Sequence, residues 1–120
     1  MDSTNRNDET ALPTVEAHEA NQRVNGGAYL LDVREAEEWN AGHAPAANWI
    51  PLGDLPTRFG ELPAATEIFV VCKVGGRSAA AVETLIGTGM TAINCAGGML
   101  AWADAELPVV TADGSPGQVI

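Results

Sequence analysis

The sequence predicts an α/β fold with a mainly parallel sheet and helices on both faces. Short apolar runs rich in β-branched residues, which favour strands, alternate along the chain with segments of helical spacing. The clearest strand is Ile68 to Val71, and further strands are predicted over residues 28–33, 48–50 and 91–95. In such sheets ligands bind at the carboxyl ends of the strands, so we expect the functional residues at that edge.

Helices are predicted between these strands. The first begins with Thr14 as its N-cap and runs to about Val24, before Gly26 and Gly27 end it. The other helices are shorter and are predicted over residues 36–40, 52–59, 79–86 and 99–103. Ser78 opens the helix over 79–86, and Trp39 is the expected core contact of the helix over 36–40.

Length and composition predict one globular domain. The chain has 120 residues, of which 46% are hydrophobic and 18% charged, enough to bury a core without disulfides. Residues 1–11 are polar and lack apolar periodicity, so we expect a disordered N-terminal extension there. The domain is expected over 12–110, followed by a turn-rich tail over 111–120 that extends over the surface.

The charge and the cysteine content limit the partners and the compartment. A net charge of −10 argues against nucleic acid or an anionic membrane as a partner. The sequence has no apolar run near the length of a membrane span and no signal-peptide pattern at its start. Its two cysteines are too few for a disulfide scaffold. We therefore expect a cytoplasmic protein.

The segment 72–78 joins the clearest strand to a helix and has the features of a thiolate site. Cys72 ends the strand, Gly75 and Gly76 follow, and two of the six Lys and Arg residues, Lys73 and Arg77, flank the glycines. A helix start, free backbone N–H groups and nearby cations all lower the pKa of a thiol. The glycines let several N–H groups turn toward one anion. The two cations could instead be solvated loop residues.

Other catalytic arrangements find less support in the sequence. Neither histidine, His18 or His43, is a chain neighbour of Cys72, which counts against a Cys-His site of the protease type, although His43 could lie near in space. No cluster of Cys and His has the spacing of zinc ligands. We expect neither a metal nor a cofactor.

Four sequence blocks resemble the single-domain rhodaneses, a sulfurtransferase family, over roughly residues 13–108. The blocks are 31–35 with Glu38 and Trp39, 42–48 leading to 50–52, 72–78, and 97–102. The resemblance implies a five-stranded parallel sheet flanked by helices, with Cys72 as the carrier of a persulfide. It also implies transfer of sulfane sulfur from thiosulfate or another donor to cyanide or a thiol.

The length of the loop separates relatives of this fold. Phosphatases and arsenate-reducing enzymes use a Cys-x5-Arg loop, which has room for a tetrahedral oxyanion, whereas four residues separate Cys72 from Arg77, as in the sulfurtransferases. Val74 stands where many active members carry a polar residue, which leaves the donor preference open. The expected substrate-binding residues are Lys73, Val74, Gly75, Gly76, Arg77 and Ser78. Arg77 could bind the anionic group of the donor or brace the loop through carbonyl groups.

The remaining polar and aromatic residues of the four blocks have structural interpretations. Asp32 and Arg34 are expected to pair locally and hold a loop, and His43 to stabilise its turn through a hydrogen bond. The three tryptophans are expected in the core or at its rim. Cys95 is typical of a small core residue. Because the family's strand order places its strand beside that of Cys72, we also consider Cys95 a possible redox partner that forms a reversible disulfide with Cys72.

Three functions are compatible with the sequence. The leading prediction is a thiosulfate sulfurtransferase whose partners are a small anionic sulfur donor and a cyanide or thiol acceptor. The alternative is a sulfur-relay or sensing module without turnover, which takes a persulfide from a protein partner. A small phosphatase or arsenate reductase is the third, and the loop length disfavours it.

Overall fold

A computed structural model describes residues 12–120 of the chain. The strands are β1 (Thr14–Val15), β2 (Tyr29–Asp32), β3 (Ala47–Trp49), β4 (Ile68–Val71) and β5 (Ala92–Cys95). The helices are α1 (Ala17–Asn25), α2 (Ala36–Ala41), α3 (Leu55–Arg58), α4 (Gly76–Gly87) and α5 (Gly98–Asp104), with 3-10 turns at Leu52–Asp54 and Phe59–Glu61. Within this part of the chain, no helix has the length and apolarity needed to cross a membrane. The predicted disordered extension, residues 1–11, lies outside the described residues.

The five strands form one parallel sheet in the order β1-β5-β4-β2-β3, which confirms the predicted α/β fold. β4 lies at its centre, and all four of its residues are buried. Because side chains alternate along a strand, Ile68 and Val70 face one side of the sheet and Phe69 and Val71 the other. The uninterrupted apolar run is therefore that of a strand covered on both faces.

Each face of the sheet has its own core. On one side α4 contributes Ala81, Val82 and Leu85, and Cys72 belongs to this cluster. On the other side α1 and α5 pack together and contribute Ala20 and Trp102. Both faces are thus covered by helices, as predicted, and the carboxyl edge of the sheet is left for the loops that follow the strands.

The start of the domain differs from the prediction. Thr14 is not an N-cap, because Thr14 and Val15 form β1 and pair with Asn94 and Cys95 of β5. Helix α1 begins at Ala17, with Glu16 in the N-cap position. Thr14 is a residue type favoured at helix starts, but pairing with a strand about 80 residues later determines its conformation.

The tail after Pro108 folds back onto the domain. Val110 forms an antiparallel bridge with His43 and a second with Pro116. The backbone N–H of Gln118 donates to the carbonyl of Ala41 at 2.9 Å, and Val119 packs against the core that contains Trp102. The tail is extended over the surface, and its backbone is paired with the segment that follows α2.

Candidate active site

Cys72 follows the last residue of β4, and the loop after it leads into α4. Gly75, with φ 116°, is the N-cap of α4, and the helix begins at Gly76. It therefore begins two residues before Ser78, which lies in the first turn rather than opening the helix. The positive φ of Gly75 is one that residues with a Cβ rarely adopt, which explains why a glycine is needed there.

The start of α5 holds the other side of the loop. The N–H groups of Met99 and Leu100 donate to the carbonyls of Cys72 and Lys73 at 2.8 and 3.1 Å. A Cβ on Gly98 would lie 2.5 Å from the Cys72 carbonyl oxygen, so only a glycine permits this approach. The fourth sequence block, residues 97–102, thus holds the third, the loop 72–78, in position.

The sulfur of Cys72 lies inside the curve of this loop. The N–H of Gly75 donates to Sγ at 3.0 Å, and the hydroxyl oxygen of Ser78 lies 3.3 Å from Sγ. Solvent does not reach the cysteine, whose exposed fraction is 0%. One backbone N–H and one hydroxyl thus lie at hydrogen-bond distance from the sulfur.

Opposing influences act on the ionisation of Cys72. Burial is the largest and raises the pKa of the thiol. The Ser78 hydroxyl and the backbone N–H groups of Ser78, Gly75 and Val74 act in the opposite direction and prevail, so the pKa lies below its ordinary value. The loop therefore favours a thiolate through hydrogen bonds more than through net charge.

Asn94 of β5 completes the hydrogen bonds around the thiol, and the sequence did not point to it. Its Oδ1 accepts the hydroxyl of Ser78 at 2.6 Å, and its Nδ2 donates to the Gly75 carbonyl at 3.3 Å. The Ser78 hydroxyl also lies 3.2 Å from that carbonyl. The available signal was a single amide in the otherwise apolar segment 92–95.

Within residues 12–120, the side chain of Arg77 donates to a carboxylate and to no carbonyl group, and its binding of a donor anion stays a prediction. Its two terminal nitrogens each donate to one carboxylate oxygen of Glu38 on α2, both at 2.8 Å. The hydrogen bonds from Arg77 lower the pKa of Glu38 to about 2. Arg77 thus braces the loop through a carboxylate, a partner that sequence reasoning missed although Glu38 stood in the first block.

The other loop residues are more open to solvent. Lys73 is half-buried, and within residues 12–120 its ammonium forms no ion pair. Val74 is 60% exposed and Gly76 is exposed as well. Of the two cations predicted near the thiol, Arg77 is therefore paired with a carboxylate, and Lys73 is not paired with any in the part of the chain that the structure describes.

Asp32 and Arg34 form a buried ion pair behind the site. Both are fully buried, and the guanidinium donates to both carboxylate oxygens and to the Gly42 carbonyl at 2.8 Å. The indole of Trp49 donates to the Arg34 carbonyl at 2.8 Å. These contacts hold the loop after β2 against the turn that begins at Gly42, in agreement with the structural role predicted for the pair.

His43 forms part of a stack of rings near α2. Its ring lies 3.6 Å from that of Trp39, nearly parallel, and Trp39 in turn stacks on Trp49 at 5.8 Å. His43 Nδ1 lies 3.1 Å from the Ala44 carbonyl. Trp102 is buried in the core and Trp49 is half-buried at its rim. The prediction of Trp39 as the core contact of its helix is wrong, because α2 buries none of its residues and Trp39 is only half-buried, stacked between the rings of His43 and Trp49. The structure gives His43 a place in the turn and no contact with Cys72.

Cys95 is buried near the site but belongs to the other core. Val70 pairs with Asn94, so Cys95 follows on the strand with its side chain on the opposite face. Burial raises the pKa of this thiol to about 12, with smaller contributions from Cys72 and Asp32. Both cysteines are free thiols. Redox pairing with Cys72 stays a prediction, and the alternation of side chains along β5 disfavours it.

These features describe a class of protein: an α/β domain with a cysteine of lowered pKa at the carboxyl end of its central strand. Residues 16–105 match the model of the rhodanese-like domain. The chain belongs to the rhodanese-like domain family, and sulfur transfer is the general chemistry that this membership supports.

Relatives and solved structures agree with this assignment. The chain is 35% identical over 96 residues to "Putative sulfur carrier protein YrkF" of Bacillus subtilis, a match that covers 78% of this chain and 52% of that protein. It is 31% identical over 118 residues to "Thiosulfate sulfurtransferase 18" of Arabidopsis thaliana, covering 86% and 87%. The crystal structure of a rhodanese-related protein from Thermoplasma volcanium superposes with a TM-score of 0.77 at 31% identity, covering 82% and 97%.

Proposed function

We propose that this domain transfers sulfane sulfur from thiosulfate or a similar donor to a thiophilic acceptor, cyanide or a thiol, through a persulfide on Cys72. The observation that carries the proposal is the hydrogen bond from the Gly75 N–H to Sγ at 3.0 Å, made at the start of a 12-residue helix. Backbone donors held in this way stabilise negative charge on sulfur without having to reorganise. The name of the Arabidopsis relative supports thiosulfate as a donor.

The proposed reaction has two displacement steps. The Cys72 thiolate attacks the outer sulfur of thiosulfate, a new S–S bond forms on Cys72, and the bond to the inner sulfur breaks so that sulfite leaves with the electron pair. Cyanide or a thiolate then attacks the terminal sulfur of the persulfide. Thiocyanate or a new persulfide leaves, and the Cys72 thiolate is restored. The loop N–H groups act in both steps, because the charge stays on sulfur throughout.

Three features support this route over the related oxyanion chemistry. Four residues separate Cys72 from Arg77, and the guanidinium of Arg77 is paired with the carboxylate of Glu38. Lys73, whose ammonium forms no ion pair within residues 12–120, is the cation that we propose attracts a small anionic donor. We therefore do not propose a phosphatase or an arsenate reductase.

A thiocyanate assay with thiosulfate and cyanide tests the proposal. We expect turnover in the native chain and none in Cys72→Ser, because a hydroxyl cannot carry the sulfur. Cys95→Ala is the matched control and should retain activity, since it removes the other thiol from the opposite face of the sheet. Full activity of Cys72→Ser would refute the mechanism.

One observation favours the relay as a second candidate. Val74, the chain neighbour of Lys73, is 60% exposed. Leu100, whose N–H donates to the Lys73 carbonyl, is 40% exposed, so two exposed apolar residues adjoin Lys73. Such a rim suits the surface of a partner protein, and the name of YrkF describes a sulfur carrier. Negligible turnover with thiosulfate combined with rapid transfer from a protein persulfide would favour the relay over the thiosulfate enzyme.

A further inference from the structure

The hydroxyl hydrogen of Ser78 can be donated either to Asn94 or to Cys72. The hydroxyl of Ser78 carries a single hydrogen and has three neighbours: Asn94 Oδ1 at 2.6 Å, the Gly75 carbonyl oxygen at 3.2 Å and Cys72 Sγ at 3.3 Å. The two oxygens can only accept. The sulfur donates as a thiol and accepts as a thiolate, so the direction of the Ser78 hydroxyl depends on the state of Cys72.

The orientation of the Asn94 amide follows from its second contact. Nδ2 lies 3.3 Å from the Gly75 carbonyl oxygen, which can only accept a hydrogen bond, so Oδ1 is the atom that faces Ser78. At 2.6 Å it is also the nearest acceptor for the hydroxyl. When the hydroxyl donates to Asn94, it presents a lone pair to sulfur and accepts the S–H, which stabilises the neutral thiol.

We propose that Asn94 is a positioning residue that competes with the Cys72 sulfur for the hydroxyl hydrogen of Ser78, and so controls how readily the thiol ionises. This inference rests on the proposed function of Cys72 as the sulfur carrier. On ionisation the hydroxyl must leave Asn94 and turn to the thiolate. Asn94 Oδ1 then loses its donor in a buried position, which costs free energy and holds the thiol back.

The charged and titratable surroundings do not provide an alternative account. Arg77 on α4 and Cys95 on β5 are coupled electrostatically to Cys72, and Lys73 is its chain neighbour. Asp32 on β2 is neutralised by Arg34. These groups are the same in all the variants compared below, so their contribution cancels.

The experiment measures the rate at which iodoacetamide alkylates Cys72 as a function of pH, together with the ultraviolet absorbance of the thiolate. Cys95 does not interfere, because burial raises its pKa to about 12. We expect Asn94→Ala to alkylate ~3–10 times faster than the native chain at about pH 6, because one competing neutral hydrogen bond is removed. Ser78→Ala should alkylate more slowly, and adding Asn94→Ala to it should change nothing further, because Asn94 acts through Ser78.

Two further variants separate this role from a structural one. Asn94→Asp places a stronger acceptor and a negative charge near the thiol and should slow alkylation, whereas damage to the loop would move both Asn94 variants in the same direction. The control is Asn48→Ala on the edge strand β3. It removes an amide that donates to the Leu30 carbonyl of β2, and it should match the native curve.

The proposal is overturned if Asn94→Ala fails to speed alkylation, or if its effect persists without the Ser78 hydroxyl. If Asn94→Ala does not fold, Asn94→Asp provides the test. Slowed alkylation of Asn94→Asp would support the proposal, and unchanged or faster alkylation would overturn it. Alkylation needs no sulfur donor, so it reports on Asn94 even if Cys72 were not to accept sulfur. A mass measurement after thiosulfate reports separately on the proposed function.

Discussion

Replacing Glu38 with Gln tests whether the ion pair with Arg77 braces the catalytic loop. The substitution preserves the shape of the side chain and keeps an oxygen for the N–H of Glu35, which Glu38 accepts at 2.9 Å. It removes the charge that holds Arg77, the residue that closes the loop. We therefore expect a loss of stability that depends on pH.

The expected magnitude follows from the pKa of Glu38. Its value of about 2, against an ordinary 4.5, corresponds to an upper limit of about 3.4 kcal/mol. The side chains of Arg77 and Glu38 are 36% and 14% exposed, so solvent screening reduces the expected loss to about 1–2 kcal/mol. Since the pKa is depressed in the folded state, the stabilisation is present above pH 4.5 and disappears as the pH falls toward 2.

Urea unfolding of the native chain and of Glu38→Gln across this pH range measures the difference. Glu37→Gln is the matched control, because Glu37 is an exposed neighbour on the same helix. We expect the control to follow the native chain at every pH. Equal stability of Glu38→Gln and the native chain at neutral pH would show that the ion pair does not brace the loop. A difference that persists undiminished to pH 2 would show that the charge of Glu38 is not its cause.

Two further substitutions test the support of the site. Gly98→Ala places a Cβ 2.5 Å from the Cys72 carbonyl at a φ of 61°, so thermal unfolding should show a loss of about 2–4 kcal/mol, whereas Gly53→Ala, in open space, should be nearly neutral. A stable Gly98→Ala protein would contradict the close approach of α5. Arg34→Met leaves Asp32 buried without its partner and should cost about 3–5 kcal/mol in urea unfolding. Arg58→Met, at an exposed pair with Glu61, should cost less than about 1 kcal/mol, and equal losses would show that burial of the Arg34 pair has no particular effect.

The features that the sequence predicted well are local ones. The apolar run 68–71, the glycines after it and the helix that follows can be read from adjacent residues, and they place Cys72 at the edge of the sheet. The boundaries of β2, β4 and β5 agree with the prediction to within one or two residues. β1 escaped detection because it is only two residues long and its pairing is with residues far along the chain.

The features that could not be predicted depend on contacts between distant residues. Arg77 meets Glu38 across 39 residues, and Ser78 meets Asn94 across 16. The face on which Cys95 lies follows from the register of β5 against β4, which composition does not reveal. Two cations beside a thiol therefore suggested an anion site, whereas the fold leaves one of them neutralised.

The most direct test of the account is the intact mass of the protein before and after exposure to thiosulfate. We expect a gain of one sulfur atom, located on Cys72 by peptide mapping, absent in Cys72→Ser and lost again on addition of cyanide. An unchanged mass in the native chain would contradict thiosulfate as the donor, and a sulfur that still appears in Cys72→Ser would contradict the assignment of Cys72 as its carrier.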